Sequence, residues 1–517
     1  MGVGTYEQYC ERLYKMRPNI YLGNEILDRR DPRLAGGMYV MKQTFDCAHD
    51  ERYKEYCTAT SHLTGETINR FTHIHQSIDD LLKKQEMTKL LSHRVGGCIQ
   101  RCMGIDALNA LSVVTYEMDQ DLGTEFNKNF IEYLKYVQKY DIVANCAQTD
   151  VKGDRLKRPH EQEDPDMYLR IIATDVDGTG INGKPCKGIV VRGAKACNSA
   201  APYVDEIIAT PTRFMGKADY AYAVAFAIPA DWPGVKLACE VGLRHKRTHI
   251  DAPIAHVGDM ESLTIFDDVF IPNDRVFMNG LANPACTPYA GFLALMFAHF
   301  HRHSYTGCKP ATSEVLASMA ALVAEYNGIA KTDHVREKLC HIIMIAECVF
   351  ACGVASAYRA EKSPSGTYIP DEILTNAGRK LAGEEIYNEA RIVADLAGGL
   401  IATIPREDTF YAEDNVGELL HKYIKRNPAI PSEDVHRCFR MITDQLVNEF
   451  GGCMIVAGLH GGGSPQMEAV AMMGRYDLEE LKGIAKYLAG IEKDIPIYTR
   501  KSVTPRKVLE KYRSLHG

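Results

Sequence analysis

The amino-acid sequence predicts an α+β fold in three parts: an N-terminal helical domain, a central β barrel or sandwich, and a C-terminal helical bundle. Three observations carry that reading. Residues 77–119 (SIDDLLKKQEMTKLLSHRVGGCIQRCMGIDALNALSVVTYEMD) place apolar side chains three and four apart, the period of a helix with one buried face. From residue 143 the pattern changes to short runs rich in β-branched and aromatic residues, as strands require. After residue 286 helical spacing returns in runs of bundle length.

The first part, 1–142, reads mainly as helix and closes with NKNFIEYLKYVQKYDI. Within 77–119 the pair Gly96-Gly97 costs about 1 kcal/mol per glycine in a helix, so a close approach is expected there. The second part, 143–285, opens with YLRIIATDVDGTGI, which predicts a hairpin turning at Asp177-Gly178. KGIVVRGAKA, DEIIATPT, YAYAVAFAIPA, VKLACEVG and ESLTIFDDVFI complete about six or seven strands. The third part, 286–491, contains SEVLASMAALVAEYNGIAK, HVREKLCHIIMIAECVFACGVASAYRAEK, EILTNAGRKLAGEEIYNEARIVADLAGG and SEDVHRCFRMITDQLVNEF, with breaks at Pro364 to Pro370, Pro405 and Pro428. Residues 492–517 hold seven Lys/Arg against three Asp/Glu and read as a solvated basic tail.

Composition narrows the function classes. With 46% apolar and 25% charged residues the chain is neither disordered nor collagen-like nor a disulfide scaffold. A net charge of −7 speaks against a nucleic-acid partner. No run of 18 or more uncharged apolar residues occurs, so no membrane span is expected, and the start lacks the apolar core of a signal peptide, so a cytoplasmic location is expected. The sixteen scattered cysteines then read as thiols or metal ligands rather than disulfides.

Cys98 and Cys102 stand four apart within the helical pattern, which predicts both sulfurs on one helix face. The spacing alone is weak, since Cys348 and Cys352 repeat it. A second element, FAHFHRHSYTGCKP (297–310), gathers His299, His301, His303 and Cys308 beside Tyr305 and Lys309. Imidazole, thiolate, phenol and amine together suit metal binding and proton transfer. His301 and Cys308 are seven apart, about two helical turns, and can share a face. The competing reading is a helix ending at Gly307 among basic residues. Three thiolates and one imidazole would suit either an iron–sulfur cluster with one distinct iron or a zinc ion, and ligand type does not separate them.

At these residues the chain resembles the 4-hydroxybutyryl-CoA dehydratase family, within the larger 4-hydroxyphenylacetate 3-monooxygenase group related in fold to acyl-CoA dehydrogenases. The resemblance spans roughly residues 5–491. Its matching stretches are TGETINRFTHIHQSIDDLLKK, CIQRCMGIDALNA, KNFIEYLKYVQ, TDVKGDR, GIVVRGAKA, FDDVFIPNDRVF, FHRHSYTGCK, DLAGGL and HGGGSPQ. The cysteine-bearing segment together with HRHSYTGCK is specific to the dehydratases.

The resemblance implies an acyl-CoA dehydrogenase-like homotetramer with one FAD and one [4Fe-4S] cluster per site. The cluster ligands would be Cys98, Cys102, His301 and Cys308. The CoA-thioester substrate would be 4-hydroxybutyryl-CoA, converted to crotonyl-CoA, with vinylacetyl-CoA isomerisation as a side activity and with oxygen sensitivity. Loss of the 4-hydroxyl needs removal of an unactivated β hydrogen, beyond the roughly 10²–10⁴-fold that acid–base groups supply. Transient one-electron oxidation by the flavin would acidify that hydrogen in a redox-neutral cycle. His301 would be the base at carbon, Tyr305 and Lys309 would assist proton transfer or polarise the leaving hydroxyl, and Gln100 and Glu261 match positions that influence the site. For FAD the resemblance implies Gln148, Thr149, Asp150, Gly153 and Arg155 in one loop, Lys195 and Ser199 after a strand, and Gly398-Gly399 near the pyrophosphate across a subunit interface. The bland reading of the last pair is a helix C-cap.

Three positions depart from the family pattern. Ala457 stands where a glutamate is expected, with Glu449 and Glu468 as possible substitutes; Ser199 replaces a threonine; Cys197 replaces a histidine. Two other functions are weighed against the dehydratase: an aromatic hydroxylase using reduced FAD and oxygen, which has no need of the four metal ligands, and a non-catalytic flavin and cluster protein.

Overall fold

A computed structural model describes residues 2–242, 247–476, 478–498, 500 and 509–510. The basic tail lies largely outside the described residues.

The helical run predicted over 77–119 divides into two helices, Ile78–Val95 and Cys102–Leu122. The first starts at Ser77, whose hydroxyl accepts from the Asp80 amide at 3.1 Å. It stops at Gly96, which takes the left-handed cap conformation at φ +66°. Gln100, at φ +61°, turns the chain again before the second helix begins. Cys98 and Cys102 therefore do not share a helix face, because the glycine pair ends a helix instead of interrupting one.

The central part is a sandwich of two sheets. One sheet has six strands in the order Glu25–Leu27, Ile20–Leu22, Val235–Gly242, Asp259–Pro272, Pro185–Ser199 and Arg170–Thr179. The other has four, in the order Val276–Asn279, Val224–Pro229, Glu206–Ala209 and Ala144–Ala147. Ile189, Val191, Leu237, Phe266 and Val269 of the first meet Ile207, Val224, Phe226 and Ile228 of the second in one buried core. Phe226 and Phe266 close it edge to face at 5.5 Å. Two features differ from the sequence reading. The N-terminal part contributes two strands to the larger sheet, so it is not helical throughout. The hairpin turns at Gly180–Lys184 and not at Asp177-Gly178: the Gly180 amide donates to the Lys184 carbonyl at 2.8 Å, and Gly183 supplies the positive φ.

The C-terminal part is built on one 40-residue helix, Thr287–Tyr326, packed between Ile78–Val95, Cys102–Leu122, Asp333–Tyr358 and Glu372–Ala397. It runs through both Gly307 and Pro310, so Gly307 is not a helix end. A methyl group at 307 would strike the Gln85 carbonyl and the Thr88 hydroxyl, so this glycine lets two helices touch backbone to backbone. Pro310 leaves the Thr306 carbonyl without its intrahelical donor, and the Gln85 side-chain amide takes that place at 3.0 Å. Among the described helices, Asp333–Tyr358 alone is long and apolar enough to cross a membrane by length and composition. It packs into the bundle through Val335, Ile342, Ile345 and Val349, and leaves Ile343 and Met344 half exposed.

Candidate active site

The loop at 96–101, the start of the Cys102–Leu122 helix and the inner face of the long helix meet between the bundle and the sandwich. Cys98 lies in the loop, where its sulfur accepts from the Gln100 amide at 3.4 Å. Cys102 is the first residue of its helix. His301 and Cys308 lie two turns apart on the long helix, both buried. Burial pushes the Cys98 thiol up to about 12, and Cys308 adds to the rise. Burial raises Cys102 well above its ordinary value, with Cys98 and Cys308 among the charges that oppose its ionisation. Burial also raises Cys308. The structure thus brings the three predicted thiols into mutual electrostatic range.

Asp106 completes the cluster. It sits one turn after Cys102 and is fully buried. Its carboxylate accepts from Lys84 Nζ at 2.8 Å, from the Ser304 hydroxyl at 2.9 Å to both oxygens, and from His301 Nδ1 at 2.9 Å. Burial would raise this carboxyl, but the Lys84 charge and the His301 hydrogen bond outweigh it and hold it below the ordinary range. The contact with this carboxylate orients the His301 ring through Nδ1. Ligand atoms of Cys102, Asp106 and His301 lie within 4.8 Å of one another. His301 stacks on Phe297 at 5.4 Å and meets the edge of Tyr305 at 4.9 Å.

These donors fit a metal cluster. Three buried thiols that oppose one another's ionisation need added positive charge to become thiolates, which a metal centre supplies. The imidazole is oriented by a buried carboxylate, a recurring support for a metal-bound histidine. Around this group, burial keeps the Tyr305 phenol protonated and pulls the Lys309 ammonium below its ordinary value, with the Cys308 charge opposing that fall. Gln100 donates to the Gly258 carbonyl at 3.2 Å, and its side-chain oxygen is buried without a partner.

The predicted flavin residues form a second group. Asp150 and Lys195 are a buried ion pair at 2.8 Å. Lys195 also donates to the carbonyls of Gln148 at 3.0 Å and Thr210 at 2.8 Å, so its three N–H bonds are spent on holding the loop. Asp150 further accepts from the Leu169 amide at 3.0 Å and from the Thr212 hydroxyl. The Thr149 carbonyl accepts from the Ala196 amide at 2.7 Å, and Gln148 donates to the Ala294 carbonyl at 3.0 Å. Gly153 takes φ +45° with Gln162 packed against it, and Arg155 is exposed. Ser199 donates to Glu261 at 2.6 Å, joining two predicted residues on adjacent strands, and the Glu261 carboxyl is paired with the buried Asp259 carboxyl. The Ser199–Glu261 pair and the polar loop from Gln148 to Arg155 are the kind of groups that suit the polar edge of a flavin. Cys197 is exposed nearby at φ +53°. Gly398 caps the Glu372–Ala397 helix at φ +72°, and a methyl at 398 or 399 meets nothing within 4 Å among the described residues. Cys348 is exposed and Cys352 half-buried, on the Asp333–Tyr358 helix.

The HGGGSPQ segment, for which the sequence offers no role, packs on the chemistry-bearing face of the long helix. A methyl at Gly461 would collide with the Tyr305 hydroxyl, and one at Gly462 would lie 3.3 Å from both His301 and Tyr305. Ala457 is half-buried beside Gly458, where a methyl would lie 3.4 Å from Lys309 Nζ. Of the two glutamates considered as substitutes, Glu449 is exposed and Glu468 is fully buried near Arg302. Sequence reasoning missed Asp106, Lys84, Ser304, Arg302 and Arg379. Asp106 and Ser304 carry a local signal, standing four after Cys102 and three after His301. Arg302 stands beside His301 but its partners do not, and Lys84 and Arg379 come from distant segments that carry no signal.

The chain matches the 4-hydroxyphenylacetate 3-hydroxylase N-terminal profile over residues 5–278 and the C-terminal profile over residues 290–490. It is 36% identical over 504 residues to 4-hydroxybutyryl-CoA dehydratase/vinylacetyl-CoA-Δ-isomerase of Clostridium aminobutyricum, covering 94% of this chain and 99% of that protein. It is 29% identical to the oxygenase component of 4-hydroxyphenylacetate 3-monooxygenase of Thermus thermophilus, covering 86% and 89%. Among solved structures, an oxygen-tolerant archaeal 4-hydroxybutyryl-CoA dehydratase from N. maritimus superposes with a TM-score of 0.88 at 33% identity, covering 97% of both chains. A 4-hydroxyphenylacetate 3-monooxygenase oxygenase component bound to FAD and 4-hydroxyphenylacetate superposes at 0.80 with 25% identity, covering 94% of this chain and all of that one.

Proposed function

Because the chain belongs to the 4-hydroxyphenylacetate 3-hydroxylase family, and within it groups with the 4-hydroxybutyryl-CoA dehydratases, we propose that its site dehydrates 4-hydroxybutyryl-CoA to crotonyl-CoA and isomerises vinylacetyl-CoA as a side activity. The observation that carries this reading is the gathering of Cys98, Cys102, Cys308 and an Asp106-oriented His301 at one buried junction. The aromatic hydroxylases of the family are the more distant relatives.

Cys98, Cys102, Cys308 and His301 would hold a [4Fe-4S] cluster, and the loop from Gln148 to Arg155, with Ser199 and Glu261, would hold FAD. When bound, the two groups supply a Lewis acid for the leaving hydroxyl and reversible one-electron chemistry for the thioester enolate. The protein supplies the rest. His301, oriented through Nδ1 by Asp106 and packed against Tyr305, would be the base that takes a proton from carbon. Tyr305, kept protonated by burial, donates to the 4-hydroxyl as it leaves. Lys309, whose charged form burial disfavours, exchanges a proton in the same pocket. Gln100, tied to the Gly258 carbonyl, would shape the pocket from the loop that carries Cys98, and Glu261 would do so from the sandwich strand at 259–272. Removal of water around these groups strengthens every one of these contacts.

An acyl-CoA dehydrogenase-like arrangement of the three parts and a homotetramer belong to the same proposal. The half-exposed Ile343 and Met344 on the Asp333–Tyr358 helix would be covered by a second subunit. Anaerobically purified protein given 4-hydroxybutyryl-CoA should form crotonyl-CoA. Absence of crotonyl-CoA, together with hydroxylation of 4-hydroxyphenylacetate driven by reduced FAD and oxygen, would replace this reading with the hydroxylase.

A further inference from the structure

Glu468 is the one carboxylate among the described residues whose two oxygens are both buried and both without a hydrogen bond. It lies in the Pro465–Met473 helix, directly after the Gly461–Gly463 turn. Arg302 Nε stands 3.6 Å from it. Arg302 also donates to the Gly462 carbonyl at 2.9 Å and to Asn376 at 2.7 Å. Arg379 donates to the carbonyls of Gly461 at 2.8 Å and Leu459 at 2.9 Å, and its guanidinium lies 4.6 Å over the Tyr305 ring. A methyl at Gly463 would come within 2.8 Å of Arg302 and 3.3 Å of Glu468. Two buried cations therefore grip the carbonyls of a turn that also touches His301 and Tyr305. Glu468 is the buried carboxyl facing both of them, with Glu372 also near Arg302; burial raises Glu468 to about 7, and above that pH it carries the charge that opposes theirs.

We infer that Glu468 is a positioning residue of the dehydration site: through Arg302 and Arg379 it holds the Gly461–Gly463 turn against Tyr305 and His301. This inference rests on the proposed dehydratase reading of the same site. An arginine bonded only to neutral acceptors keeps its full charge in a buried place, which is costly without a nearby carboxylate. Loss of the Glu468 charge leaves two like charges facing each other, and the turn gives way first because glycines resist displacement least. The groups facing Glu468 are Arg302 on the long helix and Arg379, Lys380 and Glu384 on the Glu372–Ala397 helix.

The test uses Glu468→Gln and Glu468→Asp in the full chain, with two readouts. Amide hydrogen exchange of residues 459–464 needs no turnover, and it should quicken in Glu468→Gln, with Glu468→Asp intermediate. Dehydration by the same preparations should show kcat lowered about tenfold or more in Glu468→Gln, with KM for 4-hydroxybutyryl-CoA within about twofold and partial recovery in Glu468→Asp. Unchanged exchange at 459–464 overturns the inference. So does quickened exchange with unchanged kcat, since the turn would then not serve the reaction. If Glu468→Gln does not fold, Glu468→Asp alone must show both effects, and their absence overturns it. A wild type with no dehydration but normal exchange defeats the dehydratase reading instead, and the two failures are told apart.

Discussion

Replacing Asp106 with Asn tests the buried group at the centre of the site. The carboxylate is fully buried and accepts from Lys84, Ser304 and His301 at 2.8–2.9 Å. Asparagine keeps one acceptor oxygen, places an N–H₂ where donors already point, and removes the charge that balances Lys84. Breaking a buried ion pair from one side costs about 3–5 kcal/mol. Freeing the outer nitrogen of a metal-bound histidine costs about 10–100-fold in metal affinity or activity. The assay is chemical unfolding of the purified variant, with iron content and crotonyl-CoA formation measured on the same preparation. The double variant Asp106→Leu/Lys84→Met separates the two effects. With both charges gone, most of the lost stability should return, while iron binding and activity stay low because His301 has lost its orienting partner. An Asp106→Asn protein within about 1 kcal/mol of wild type, with full iron and full activity, would refute the reasoning.

Three further outcomes follow from the same structure. Cys308→Ala should lose iron while keeping the fold, as read by circular dichroism, because the bundle and sandwich cores do not depend on that thiol; full iron and activity would remove Cys308 from the ligand set. Gly461→Ala should lower kcat about 10²-fold with iron retained, since the new methyl displaces the Tyr305 hydroxyl; unaltered kcat would show that Tyr305 takes no part. Burial raises the Glu389 carboxyl from 4.5 to about 7, so the folded state holds a proton that the unfolded chain releases. The stability it allows is full below about pH 4.5 and declines as pH rises through about 7, by up to about 3 kcal/mol. Glu389→Gln should therefore match wild type near pH 4.5 and exceed it at pH 8 in unfolding free energy, whereas parallel pH curves would contradict this.

Most of the fold is legible in the sequence because its signals are local. The strands at 185–199, 224–229, 235–242 and 259–272 and the helices at 333–358, 372–397 and 432–446 each carry their own period. The misreadings come where a glycine or proline has two meanings. Gly96 caps a helix, but Gly307 serves close packing inside one, and only the neighbours Gln85 and Thr88 decide which applies. Pro310 breaks nothing because Gln85 satisfies the carbonyl it strands. The strands at 20–27 are too short to show a period, and their pairing partner is more than 200 residues away. In the site, the cysteines and histidines stand out by residue type, the four-residue spacing of Cys98 and Cys102 misleads about a shared helix face, and it is the resemblance to the dehydratases that joins the four ligands. Lys84, Arg302 and Arg379 act through contacts with distant chain segments, which no pattern in one sequence records.

The account turns on whether the three cysteines and His301 hold a cluster next to a flavin. Iron, acid-labile sulfide and FAD per chain, measured on protein purified without oxygen, test this most directly. The account predicts about four iron, four sulfide and one FAD. FAD with neither iron nor sulfide, in protein never exposed to air, would contradict it and leave the buried thiols as packing.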